Sequence, residues 1–142
     1  MNYIFDVDGT IWDTTPLVAE AWNEGLRTEM GLEACITAEI LKKEFGKTME
    51  VIAQDLFGDH PREEQDRVME VCVAYEERYL EENTKDLAYP GVRRTFAALA
   101  AQGNKLFIVS NCQKGYIEQC MEKVGLNDYV TDHLCYGDSL QG

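Results

Sequence analysis

The sequence predicts an α/β protein whose parallel-sheet core is interrupted by an inserted block of helices. Two observations carry that prediction. Runs of β-forming residues stand at 3–7 (YIFDV) and 105–110 (KLFIVS), and each leads out through polar residues toward a helical pattern. Between them, residues 15–82 carry apolar residues at helical spacing, punctuated by glycines and prolines. The predicted order of strand, helical block, helix, strand, helix, strand is that of a parallel sheet built from crossover units. The expected domains are residues 1–14 with 83–142 as a partial α/β core, and 15–82 as the helical insertion.

Each element has a local reason. YIFDV is short, apolar and β-prone, so it reads as a buried strand. Thr15 is placed to cap a helix with Pro16 at its first position, and Leu17, Val18, Ala21, Trp22, Gly25 and Leu26 share its spacing up to Gly31. Thr37 caps AEILKKEF, which Gly46 stops; MEVIAQDLF then runs to Gly58. Pro61 opens a longer helix with Val68, Cys72, Tyr75 and Tyr79 on one face, completing what reads as a small antiparallel bundle. After Pro90-Gly91, a helix marked by Val92, Phe96 and Leu99 ends at Gly103. KLFIVS is the second strand. Residues 114–124 form a helix with Ile117, Cys120, Met121 and Val124 inward, and DHLCYGDS holds a third short strand.

Composition narrows the function. The 142 residues carry 13 Lys+Arg against 26 Asp+Glu, a net charge of −13. Such a chain repels nucleic acid and anionic membrane, and neither is expected as a partner. A phosphate-bearing ligand is repelled as well, so a site for one needs local positive charge or a metal. Five cysteines without CxxC or zinc-type spacing predict free thiols in a reducing cytoplasm. No basic n-region precedes an apolar run, which argues against a signal peptide, and no apolar stretch is long enough to cross a bilayer.

The chemistry is concentrated in FDVDGT. In an extended strand Asp6 and Asp8 point to the same face, two strand rises or roughly 6–7 Å apart. They stand at the strand's C-terminal end, where open α/β sheets bind ligands. Two such carboxylates either share a hard cation such as Mg²⁺ or divide into an ionised nucleophile and a protonated acid. Gly9 permits a tight turn and Thr10 adds a hydroxyl. The same DxDG also suits a plain solvated turn. The second strand ends in Ser110-Asn111 before a helix, a place for an anion held by a hydroxyl and backbone N–H groups, or simply for an N-cap.

Taken together, FDVDGTIWDTTP, LFIVSN and the longer AYPGVRRTFAALAAQGNKLFIVSN resemble the haloacid dehalogenase superfamily of phosphohydrolases. The helical block 15–82 is similar to the cap of its phosphoglycolate phosphatase and β-phosphoglucomutase branch. The resemblance implies an incomplete Rossmann-like core with an inserted cap, and a Mg²⁺-dependent phosphatase of small phosphorylated metabolites. It assigns Asp6 as nucleophile and Asp8 as acid and base. Mg²⁺ is assigned to the Asp6 carboxylate and the Asp8 carbonyl, and phosphate to Gly9, Thr10, Ser110 and Asn111. Asp8 also favours phosphoryl chemistry, because the dehalogenases of the superfamily lack an acid at that place. Gly46-Lys47-Thr48 resembles the cap's specificity loop, with Lys47 directed at the far end of the substrate or, alternatively, standing as a solvated lysine. Arg93 and Arg94 read as helix-surface charges, His60 and His133 as structural or exposed, and Trp12 and Trp22 as core or interface residues.

Two family motifs are not found in the 142 residues: a lysine following a stretch like YGDSLQG, and an acidic pair on a later strand. Lys105 and Lys114 do not occupy the lysine's position. The expectation is a C-terminally truncated member with one strand edge left open. A non-catalytic, partner-binding product and a phosphotransferase or mutase are the alternatives.

Overall fold

The computed structural model describes residues 1–112 and 114–135. In chain order the elements are β1 (Asn2–Phe5), α1 (Thr15–Met30), α2 (Ala38–Glu44), α3 (Met49–Phe57), α4 (Arg62–Glu82), α5 (Val92–Ala101), β2 (Lys105–Ser110), α6 (Tyr116–Val124) and β3 (Asp132–Cys135). They fall into two compact units: residues 14–84 hold the first four helices, and residues 1–13 with 85 onward hold the sheet and the last two.

The sheet runs β1-β2-β3 and is parallel throughout. Register pairs Phe5 with Ile108 and Ser110 with Cys135. Partners in a parallel pair share a face, so Phe5, Leu106, Ile108, Ser110 and Cys135 look the same way. Of these, Leu106, Ile108, Ser110 and Cys135 are buried, and α5 lies on that face, with the Phe96 ring 4.5 Å from that of Phe5. On the other face Ile4 (72% exposed), Val109 and Leu134 stay open among the described residues.

Several boundaries differ from the sequence expectation, each for a local reason. The first strand stops at Phe5 rather than residue 7. Val7 bends away and its carbonyl accepts the N–H groups of Thr10 (3.2 Å) and Ile11 (2.8 Å), so a turn takes its place in the ladder. The helix expected from 114 begins at Tyr116, because Gly115 has φ +94°, a left-handed conformation outside the helix. Thr14, not Thr15, is the N-cap of α1, and Pro16 sits one position later than expected. The helix expected over AEILKKEF stops at Glu44, as Phe45 is extended. β3 ends at Cys135; the remainder of DHLCYGDS lies outside the described residues.

Arg93 is more than a surface charge. Its Nε donates to the Val124 carbonyl (2.7 Å) and its guanidinium pairs with Asp86 (2.8 Å). It therefore satisfies an orphan carbonyl at the C-terminal end of α6 and ties α5 to it. The pairing with Arg93 holds the Asp86 carboxyl below its usual range.

In the helical unit, α1 packs along α4 around Val18, Trp22, Leu26, Val68 and Cys72. The approach is close at Gly25, where an added Cβ would lie 2.8 Å from the Tyr75 ring. Polar tips of this core are paired: Trp22 Nε1 donates to Glu76 (3.1 Å) and Tyr75 Oη to Glu29 (2.9 Å). The Asn23 side chain bonds both the carbonyl and the N–H of Ile36 (2.8 and 2.9 Å), pinning the α1–α2 link. Thr37 caps α2 as expected, its hydroxyl accepting from the Ile40 N–H. No helix among the described residues is long and apolar enough to cross a membrane. None of the five cysteines forms a disulfide.

Candidate active site

The site is built where β1 ends. Beyond Phe5 the chain turns tightly through Val7–Trp12, with Gly9 at φ +77°. The Gly9 N–H donates to the Trp12 carbonyl (3.1 Å). Residues 11–13 then run antiparallel to 87–89, with the Asp13 N–H on the Leu87 carbonyl and the Tyr89 N–H on the Ile11 carbonyl, both 3.0 Å. Val7, Ile11 and Trp12 are fully or almost fully buried. Those apolar anchors hold a loop whose acidic residues are left at the sheet's C-terminal edge.

Asp6 is exposed, and its Oδ1 accepts the N–H of Val7 (2.8 Å). Asp8 is largely enclosed, and its Oδ1 accepts the hydroxyl of Tyr116 at 2.6 Å. Burial pushes the Asp8 carboxyl up to about 6, opposed by the Tyr116 hydrogen bond and reinforced by the charge of Asp6. The two carboxylates thus feel each other, although both lie past the strand and not on it. The Trp12 indole N–H is buried with no partner of hydrogen-bond geometry among the described residues, yet it is near enough to favour the charged form of Asp8. A carboxyl that holds its proton part of the time near neutrality, beside an exposed carboxylate, is a pair suited to acid–base and nucleophilic work.

Of the residues expected to take phosphate, Gly9 and Thr10 are exposed in the loop, but their N–H groups are spent within it, on Trp12 and Val7. The Thr10 hydroxyl remains. Ser110 ends β2, 9% exposed, with its hydroxyl near enough to the Cys112 thiol to favour the thiolate. Asn111 follows it, exposed. The helix expected directly after them begins only at Tyr116. The Cys112 thiol is pushed up to about 12, chiefly by burial, so it stays protonated and is no rival nucleophile.

Gly46, Lys47 and Thr48 form the α2–α3 junction of the helical unit, with Gly46 at φ +99° and Thr48 as the N-cap of α3. Lys47 is exposed but engaged: its Nζ lies 2.9 Å from Asp55 and 3.3 Å from Glu44. His60 lies 3.2 Å from Glu64, and His133 lies 3.2 Å from Glu118.

Tyr116 is the site residue that the sequence did not reveal. It stands 108 positions from Asp8, and only the return of β2 beside β1 brings them together. The available signal was an aromatic residue with a polar tip opening the helix that follows the Ser110 strand end.

In kind, the donors fit a hard divalent cation: the Asp6 carboxylate and the Asp8 backbone carbonyl are both hard oxygen donors, and a cation there would relieve the repulsion between the two acids. Among the described residues no group of three or more acids, histidines or cysteines gathers, so the pair supplies only part of a shell.

A family model described as haloacid dehalogenase-like hydrolase matches residues 2–141. A phosphoglycolate phosphatase from Nitrosospira multiformis is 34% identical over 140 residues, covering 96% of this chain and 60% of that protein. Among solved structures, a predicted phosphoglycolate phosphatase from Haemophilus somnus superposes with a TM-score of 0.81 at 22% identity, over 100% of this chain and 64% of the other. A putative haloacid dehalogenase-like hydrolase from Bacteroides fragilis gives 0.79 at 21% identity, over 96% and 63%. The chain spans about three-fifths of the length of these relatives. With the family model matched over nearly every residue, and the acid pair set at the end of the first strand of a parallel sheet, the chain belongs to the haloacid dehalogenase-like hydrolases.

Proposed function

We propose that the site at the end of β1 is that of a phosphatase acting on small phosphorylated metabolites through a covalent aspartyl-phosphate. The observation that carries this reading is the unequal pair of acids: Asp6 exposed, Asp8 enclosed and pushed up to about 6 by burial. Asp6 attacks phosphorus, and the bond from phosphorus to the leaving oxygen breaks as Asp8 gives that oxygen its proton. Asp8, now ionised, takes a proton from water. The water oxygen attacks the phosphorus of the acyl phosphate, releasing phosphate and restoring the Asp6 carboxylate. The Thr10 and Ser110 hydroxyls and Asn111 would hold the non-bridging oxygens. The Asp6 carboxylate and the Asp8 backbone carbonyl would hold Mg²⁺, which when bound neutralises charge on the transferring phosphoryl group.

The helical unit is proposed as the cap. In that role the engagement of Lys47 by Asp55 and Glu44 favours a braced lysine at the α2–α3 junction over a freely reaching one. The phosphoglycolate phosphatase relative motivates phosphoglycolate as the first substrate to try.

The test is phosphate release from p-nitrophenyl phosphate and from phosphoglycolate. It is run on the chain and on the chain followed by the rest of the Nitrosospira relative. Mg²⁺-dependent release, reduced by at least about 10³-fold on Asp6→Asn, is expected for loss of a covalent nucleophile. Release that survives Asp6→Asn contradicts the reading.

A further inference from the structure

We infer that Tyr116 is a positioning residue for Asp8, its hydroxyl fixing the carboxyl so that Oδ1 is committed and Oδ2 handles the proton. The inference rests on the phosphatase reading above.

Asp8 needs an external brace. It lies past the strand, in a loop that bends at Val7 and turns at Gly9, and its backbone makes only an isolated bridge with Trp12. The loop's backbone does not set the rotation of the carboxyl about its last torsion, which is broad and roughly two-fold. The Tyr116 hydroxyl supplies that constraint. At 2.6 Å its hydrogen bond to Oδ1 is in the short range of hydroxyl–carboxylate pairs.

The donor is itself held. Tyr116 is 9% exposed and is the first residue of α6, its backbone set by the left-handed turn at Gly115. Its ring meets Trp12 edge-on, with centroids 5.7 Å apart at 61°. Trp12 is 1% exposed and is fixed by backbone pairing both to Asp8 and to Ala88. One aromatic residue of the loop thus buttresses the tyrosine that orients the acid of the same loop. With Oδ1 occupied, the proton to be given to the leaving oxygen, and later taken from water, resides on Oδ2. A rotated carboxyl would present the occupied oxygen instead.

Tyr116→Phe removes only the hydroxyl and keeps the ring against Trp12. The test compares p-nitrophenyl phosphate, whose leaving group needs little protonation, with phosphoglycolate, whose alkoxide needs it fully. Leaving-group protonation belongs to the step that forms the aspartyl-phosphate, so the variant is expected to lose kcat/KM by roughly 10-fold or more on phosphoglycolate but about threefold or less on the aryl ester. In an Asp8→Asn background the same change is expected to add no further loss on either ester. A Tyr116 hydroxyl proton resolved by NMR in slow exchange, and lost in Asp8→Ala, reports the contact independently of turnover.

Equal losses of kcat/KM on both esters, or full additivity with Asp8→Asn, overturn the positioning role while leaving the phosphatase intact. No phosphate release from either ester, by the chain alone or by the chain followed by the rest of the Nitrosospira relative, defeats the phosphatase reading and this role with it, whatever the hydroxyl proton shows.

Discussion

Asp8 carries an electrostatic cost that the fold tolerates. Its carboxyl is pushed from 3.8 up to about 6, mainly by burial. In the absence of divalent cations, the stability tied to its neutral form is complete below the unfolded value and is lost as pH rises through about 6. The shift corresponds to roughly 3 kcal/mol between those limits. Asp8→Asn escapes that loss. Urea unfolding at about pH 4 and about pH 7.5 should therefore show the variant gaining on the unmodified chain by roughly 2–3 kcal/mol as pH rises. A gap independent of pH would mean the carboxyl is solvated. Added Mg²⁺ should narrow the gap, because a cation favours the ionised form.

At the scale of elements, the helical unit depends on one close approach. At Gly25 a Cβ would fall 2.8 and 2.9 Å from two carbons of the Tyr75 ring and 3.1 Å from Val71. None of these is the far end of a flexible chain. Gly25→Ala gains helix propensity of about 1 kcal/mol but forces α1 from α4, and should cost a net ~1–2 kcal/mol by thermal or urea unfolding. Such spacing was only half legible in the sequence: Gly25 falls on the apolar stripe of α1, but its partner ring is known only from packing. The strands and helices themselves were legible because apolar runs and helical periodicity are local signals. Boundaries shifted where a single backbone conformation decided them, as at Val7 and Gly115. The acid pair could be read directly, being two residues apart. Tyr116 and the Arg93 link to Val124 could not, because side-chain contacts across 108 and 31 positions leave no local mark.

Over the whole molecule, a net charge of −13 sets the terms on which a phosphate ester can be received. The general field repels it, so in the proposed phosphatase attraction has to be local: hydroxyls at the sheet's C-terminal edge and a divalent cation, were one held by Asp6 and Asp8. That edge is where open α/β sheets bind ligands, and it is where Asp6, Asp8, Ser110 and Tyr116 are placed. The central claim is that Asp6 becomes covalently phosphorylated there, and mass spectrometry of the peptide containing Asp6 tests it most directly. The chain is incubated with Mg²⁺ and p-nitrophenyl phosphate and quenched in acid. A phosphoryl adduct is expected on Asp6, accumulating in Asp8→Asn because the acid that activates water is gone, and absent from Asp6→Asn. An adduct on another residue, or phosphate release with no adduct in either the unmodified chain or Asp8→Asn, would contradict the account.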